Sequence, residues 1–353
     1  MAYHGNGDDT QIIDPREVRY QAERRRRIIK ARARKKKKRR QFMFFTGLTL
    51  IIIVLILVLV QVFAQPSKKV QATGGMWYLR DSLGVGKQVK RYASLEDKSN
   101  APRDQIRQRI QVSLVQGQNH ISKAQHYAYD TKLVRDYIQG KASYEGPGKL
   151  AFLTFDDGPS DQVTTKILDV LKAEGVPATF FIQGRQVSQN KQSILMRELA
   201  EGHGIAMHSY THDYQLMYPG RSGNTDQIIK EAKTSQDHLS QYLPEGFYSG
   251  VWRYPGGHMS WANLEAADEG LSSLGIQWID WNVMTGDADR KSIRPTNIEE
   301  TVSFLNKEIE SSSHPEVIVV LMHDSKNKEL TAESLPSVIK SLKSQGYNFG
   351  ILK

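Results

Sequence analysis

The chain of 353 residues contains no cysteine. Disulfides and thiolate metal ligands are thereby excluded, and an exported domain of this size must be held together by its apolar core alone. Charge is missing where the composition suggests it should be. Of 48 Lys and Arg against 38 Asp and Glu, residues 1–41 hold 15 and 5, which leaves 33 against 33 in the rest of the chain. The formal net charge of +10 therefore belongs to a tail.

Residues 42–64 lack charge altogether and are almost wholly apolar. At 1.5 Å rise per residue this run reaches about 34 Å, enough to cross a hydrocarbon core of about 30 Å, and it is too long for the apolar region of a signal peptide. The basic run 24–40 lies directly before it and the sequence after it is mixed in sign. The positive-inside rule then puts the N-terminus in the cytoplasm and everything from about residue 65 outside. A basic run can also serve a nucleic acid or an anionic lipid, but one that abuts an apolar span reads first as a topology signal. The expectation is a single-pass protein of the cell membrane with an extracellular body and no nucleic-acid partner.

Four segments follow from composition. Residues 1–41 form a basic cytoplasmic tail and 42–64 a transmembrane helix. Residues 65–148 are polar, Gln-rich and punctuated by Gly74-Gly75, Gly84, Gly86 and Gly146-Pro147-Gly148, with no evident chemistry. They read as an extracytoplasmic stalk or small helical module, with apolar spacings at Ile106, Ile110, Leu114 and at Leu133, Val134, Tyr137, Ile138. From 149 to 353 short apolar runs alternate with helical periods. Strands are expected at 150–155, 178–182, 204–208, 250–254, 276–281, 317–322 and 347–352, and helices for example at 162–174 and 335–344.

Such alternation argues for parallel β/α units, as an α/β distorted or incomplete (β/α) barrel of about seven strands or as an open doubly wound sheet. The barrel is favoured because Asp156, Asp157, His208, Arg253, Asp287 and His323 all fall at or just past the C-terminal ends of expected strands, where a barrel assembles its site.

Three clusters carry chemistry. Asp156-Asp157 ends the first strand ahead of the Gly158-Pro159 turn. Neighbouring side chains on a strand diverge, so one carboxylate can bind a metal while the other faces a substrate. His208 and His212, in His-Ser-Tyr-Thr-His, have the spacing at which two imidazoles converge on one ion once the chain curls. Two histidines and one carboxylate make a catalytic rather than a structural set, with an open position. Zn2+ is the default, and Co2+, Mn2+, Ni2+ or Fe2+ would also be accepted. Asp156 is the natural base and His323 the natural acid. Arg253 in Trp-Arg-Tyr-Pro-Gly-Gly can hold Asp156 ionised, and the loop 255–257 can expose N–H groups suited to an oxyanion hole. His203, His258 and His314 read as surface or loop histidines.

With those residues in place, 149–353 resembles the NodB-homology polysaccharide deacetylases, carbohydrate esterase family 4, with five motifs in the family's order. The resemblance implies Asp156 as base, Asp157, His208 and His212 as metal ligands, and Arg253 as the tether of the base. It further implies Asp287 as the aspartate that tunes the acid His323, Leu321 as the lining of the acetyl pocket and Gly256 N–H as the oxyanion donor. The implied activity is metal-dependent removal of N-acetyl groups from a cell-wall polysaccharide, above all N-acetylglucosamine of peptidoglycan. Poly-N-acetylglucosamine, N-acetylmuramic acid, xylan and a non-catalytic wall-binding role stand as alternatives. Two motifs depart from the family pattern. Gly256 stands where an aromatic is usual, and Ala288 follows Asp287 where Trp is usual, so a groove wall must come from elsewhere, with Trp281 as a candidate.

Overall fold

The computed structural model describes residues 109–111 and 113–353. The expected tail, the expected membrane span and most of the expected stalk lie outside the described residues. Among the described residues no helix is long and apolar enough to cross a membrane.

The strands are β1 Ala128–Tyr129, β2 Lys149–Asp156, β3 Thr179–Ile182, β4 Gly204–Met207 and β5 Val251–Trp252, followed by β6 Gln277–Trp278, β7 Val283–Met284, β8 Val317–His323, β9 Tyr347–Phe349 and β10 Ile351–Leu352. The helices are α1 Thr131–Ile138, α2 Val163–Glu174, α3 Gln192–Glu201, α4 Thr225–Ser240, α5 Glu265–Ser273, α6 Ile298–Ser311 and α7 Glu329–Ser344, with a single helical turn at Tyr214–Met217.

Seven strands pair in the order β6-β5-β4-β3-β2-β8-β7, each neighbour parallel to the next. The ends of the path, β6 and β7, are consecutive in the chain but share no ladder, so the barrel is incomplete, as expected. β7 itself was not anticipated: two residues are too few to give a period. β9 pairs with the start of β2.

The alternation along β2 and β8 sets the two sides of the wall. Leu150, Phe152, Val317 and Val319 face an inner cluster with Phe181, Ala206 and Ile279, while Ala151, Leu153, Phe155, Ile318, Val320 and Met322 face the helices. Strand side chains repeat with period two, so Thr154 and Asp156 on β2, and Leu321 and His323 on β8, continue the inner face upward. Outside, α2 buries Val163, Ile167, Leu168 and Leu171 and stops at Gly175, which takes left-handed backbone (φ 64°). α7 begins six residues before its expected start, because the helix runs through Pro336 and buries Thr331, Ala332 and Ser334 ahead of it; the proline forfeits one backbone donor without ending the helix.

The boundary at 148 and 149 is corrected by the packing. Ile110, Leu114 and Ile121 belong to the main core, and β1 pairs with the C-terminal β10. Val134 of α1 joins the inner cluster, and Arg135 Nη1 donates to Trp278 O at 2.8 Å. Ile110, Leu114, Val134, Tyr137 and Ile138 face the barrel, while Leu133 stays exposed, which explains why a polar, Gln-rich stretch nonetheless carries apolar spacings.

Candidate active site

Register brings the site together. Asp156 is directly opposite His323 across the β2–β8 ladder. Met207 pairs with Trp252, so the next residues, His208 and Arg253, emerge side by side. Met284 pairs with Leu321, which puts Asp287 three residues past the end of β7 beside His323.

Asp157, His208 and His212 each offer one ligand atom, all within 4.8 Å of one another. Asp157 Oδ1 lies 3.3 Å from His212 Nε2 and 3.7 Å from His208 Nε2. The donor set fits a divalent ion. His208 Nδ1 lies 2.9 Å from the carbonyl of Arg253, which accepts its N–H hydrogen bond and leaves Nε2 free as a lone-pair donor. Burial, aided by the charge of His208, pushes His212 down to about 4, so its imidazole is neutral near pH 7. Burial alone would raise the Asp157 carboxyl, but His208, His212, His323 and Lys328 outweigh it and hold the group below the usual carboxylate range. Asp157 (φ 75°), Ser209 (φ 60°) and His212 (φ 56°) occupy left-handed backbone, a conformation that non-glycine residues keep at a cost on the order of 1 kcal/mol each. This strain aims the two adjacent carboxylates apart and turns His212 back toward His208.

Asp156 is held by Arg253, whose side chain is fully buried. Nη1 donates to Asp156 Oδ1 at 2.8 Å and to Thr154 Oγ1 at 2.8 Å. Nε and Nη2 donate to the carbonyls of Ile279 at 3.2 Å and Asp280 at 3.3 Å, and the guanidinium lies 3.9 Å over the ring of Phe181. A cation fixed on four sides cannot swing away, so it holds the Asp156 carboxylate in one orientation. Asp156 Oδ2 points the other way, 3.7 Å from His208 Nε2.

His323 Nδ1 lies 2.9 Å from Asp287 Oδ1, and its backbone N–H donates to Oδ2 at 2.8 Å. Thr331 Oγ1 donates to Oδ2 as well, at 2.8 Å, and Lys328 Nζ donates to the Asp287 carbonyl at 2.8 Å. Burial favours neutral His323, yet the Asp287 charge and hydrogen bond, with Asp156 and Asp157 behind them, overcome it and raise the imidazole above its ordinary value. Leu321 is 7% exposed beside it.

Gly256 is exposed at φ 79°, and Asp280 receives the N–H groups of His258 at 2.8 Å and Met259 at 3.1 Å, which shapes the loop. The ring of Trp281 lies against Gly257, 2.8 Å from where a Cβ would stand. Among the other histidines the reading of His203 is corrected. It is 2% exposed, its Nδ1 accepts the Ala178 N–H at 3.2 Å, and burial takes it down to about 3. His258 is half-buried, stacked on Trp278 at 3.8 Å and paired to Asp268 at 2.9 Å; His314 lies 3.5 Å from Glu316.

The supporting residues Thr154, Glu231, Asp280, Lys328 and Thr331 escape a motif-based reading. Glu231 is the one that left a trace. The buried face of α4 reads Ile228, Glu231, Ala232, Ser235, Leu239, and an acid in an otherwise apolar or small-residue helical stripe signals a buried partner.

Comparison with known proteins bears on this arrangement. A family model described as polysaccharide deacetylase matches residues 143–277. A putative polysaccharide deacetylase of Bacillus subtilis, YheN, is 36% identical over 207 residues, 58% of this chain and 67% of that protein. The peptidoglycan-N-acetylglucosamine deacetylase PgdA of Listeria monocytogenes is 35% identical over 197 residues, 56% of this chain, and the match spans only 36% of the Listeria protein. Among solved structures, a Streptococcus mutans CE4 esterase superposes with a TM-score of 0.65 at 45% identity, covering 68% of this chain and 98% of that one. The catalytic domain of a peptidoglycan N-acetylglucosamine deacetylase from Eubacterium rectale gives 0.50 at 27% identity over 60% and 91% of the two chains.

Proposed function

The chain belongs to the polysaccharide deacetylase family, a family of hydrolases, and from that premise we propose that it removes N-acetyl groups from a cell-wall polysaccharide, most specifically from N-acetylglucosamine of peptidoglycan. One observation carries the reading: a three-donor set of Asp157, His208 and His212 flanked by a carboxylate fixed to a buried arginine and an imidazole fixed to a carboxylate. Acyl hydrolysis needs these parts at one point. The glycan is proposed from what the Listeria and Eubacterium relatives are named for.

Asp157, His208 and His212 would hold the cation, with Zn2+ the best match to two imidazoles and one carboxylate. A divalent ion there supplies Lewis acidity toward a carbonyl oxygen and toward water. Asp156, oriented by Arg253, takes the proton from the attacking water through Oδ2, the oxygen that Arg253 leaves free. Gly256 N–H donates to the oxygen that becomes negative as the carbonyl carbon turns tetrahedral. His323, kept protonated by Asp287, gives its proton to the departing amine nitrogen. Leu321, on the same inner face as His323, receives the acetyl methyl.

With the apolar run 42–64 as its anchor, the protein is a single-pass membrane protein, its basic tail in the cytoplasm and this domain facing the wall. The test is acetate release from purified peptidoglycan by the soluble domain, with and without chelator, followed by mass spectrometry of the sugar that loses its acetyl group. Asp156→Asn and His323→Ala are each expected to lower kcat by at least about a hundredfold while the fold is kept. Full activity in either variant, or after complete metal removal, refutes the assignment. Deacetylation of xylan or of N-acetylmuramic acid alone would redirect the substrate.

A further inference from the structure

The third motif lacks its usual aromatic, and two residues outside every motif stand in the gap. A Cβ at Gly256 would lie 3.1 Å from Trp261 Cζ2 and 3.5 Å from Tyr214 Oη. The space an aromatic side chain at 256 would enter is thus already held by rings that come from the helical turn Tyr214–Met217 and from the start of the loop before α5. Gly256 and Trp261 are coupled: a side chain at 256 would press on the ring, which would have to give way by a few tenths of an ångström or more.

Trp261 is fixed from several directions. It stacks on the buried ring of Tyr218 at 4.1 Å and 7°, its Nε1 donates to Pro255 O at 2.9 Å, and the Arg221 guanidinium lies 5.2 Å over it. Tyr214 leans on Trp261 at 5.3 Å between centroids and on the ligand His212 at 5.2 Å. Its own turn is capped by Asp213, which accepts the N–H groups of Gln215 and Leu216. Even so, Tyr214 remains 44% exposed. A large aromatic that is rigidly backed, uncovered on its outer side and in contact with both a metal-binding histidine and the oxyanion loop is built to receive something. A ring face joined to a hydroxyl suits the C–H face and hydroxyl rim of a pyranose.

We infer that Tyr214, backed by Trp261, is the platform on which the sugar ring bearing the scissile acetamide rests. The inference rests on the proposed deacetylation, since a substrate carbonyl at Gly256 N–H brings the ring it is attached to alongside Tyr214. The platform acts on binding and leaves the proton-handling groups untouched, so it separates KM from kcat.

The experiment pairs steady-state kinetics on an N-acetylglucosamine oligomer with equilibrium titration of the same oligomer into metal-loaded His323→Ala protein, followed by tryptophan fluorescence. Tyr214→Ala is expected to raise KM and weaken binding about tenfold, a larger effect than on kcat; Tyr214→Phe keeps most of the affinity, and Trp261→Ala weakens binding as Tyr214→Ala does. Circular dichroism melts establish that each variant is folded. Unchanged KM and binding in both alanine variants, with an active wild type, overturn the platform and leave the deacetylase reading standing. Oligomer binding that Tyr214→Ala abolishes, with no acetate released by the wild type, keeps the platform and removes the activity. An oligomer that does not bind the wild type removes both.

Discussion

Glu231 Oε2 accepts the backbone N–H of Thr211 at 2.7 Å, on the residue that precedes His212. The same carboxylate takes the N–H of Tyr210 at 2.8 Å and the hydroxyl of Thr211 at 2.9 Å, with Gln227 Nε2 at 3.1 Å completing its shell. Two strained residues, Ser209 and His212, bracket this segment, and a buried charge with two backbone donors is what keeps a left-handed turn from relaxing. Glu231→Gln retains the shape but offers one acceptor where two are needed. Its apparent metal affinity, measured by competition with a chromogenic chelator, should fall by roughly tenfold, the usual scale for losing an outer partner of a metal site. Affinity equal to that of the wild type would show that the turn holds itself.

The pair Asp287 and His323 predicts a pH signature. A general acid works while protonated, and Asp287 raises His323 above its ordinary value, so the alkaline limb of kcat lies above that of a free imidazole. Asp287→Asn removes the charge, and the limb should move to lower pH with kcat at neutral pH down at least about tenfold. The sign for stability follows from the same shift. A raised histidine contributes fully below its ordinary value, and that contribution is lost as pH rises through the folded one. Asp287, which burial would raise but His323 pulls below its ordinary value, contributes above that value and loses its contribution in acid. A limb that stays in place in Asp287→Asn contradicts the coupling.

Much of this site was legible because it is local. Asp156-Asp157, His208 with His212, and Leu321 with His323 each lie within five residues, and strand period puts Leu321 and His323 on one face without any tertiary knowledge. The long β2 and β8 read clearly, and β5 and β6 fall inside longer expected runs, whereas β7 is two residues with no such run around it, too short for period two to register. What stayed hidden is long-range. The contacts of Glu231 with residues 210 and 211, of Arg253 with Thr154, and of Trp261 with the loop at Gly256 are made by side chains whose spacing in the chain carries no rule. The early segment hides its share of the core because its polar composition outweighs a few apolar positions that face the barrel, Ile110 and Val134 among them.

Arg253 gives a prediction about stability as well as rate. Arg253→Met leaves the Asp156 carboxylate buried without its partner, which typically costs about 3–5 kcal/mol, or roughly 10 °C in Tm for a domain of this size. In the double variant Arg253→Met with Asp156→Asn the uncompensated charge is gone, and most of that loss should return. Additive losses in the double-mutant cycle would mean that the two side chains stabilise the fold independently.

The last prediction concerns an acid that the proposed chemistry does not use. Glu198 on α3 is 0% exposed, and neither carboxylate oxygen has a hydrogen-bond partner among the described residues. Burial, reinforced by the charge of Asp324, holds its pKa well above the ordinary glutamate value. The unfolded chain releases this proton near the ordinary value and the folded chain only at a much higher pH, so folding takes up a proton in between and stability falls as pH rises through that window. Glu198→Met keeps similar volume and removes the titration. Its Tm should exceed that of the parent at pH 8, and the gap should narrow toward pH 5, close to the ordinary glutamate value, where the unfolded parent begins to hold the proton as well. A gap of the same size at both values would assign the gain to packing, and a lower Tm at pH 8 would mean that the carboxylate has a stabilising partner in solution.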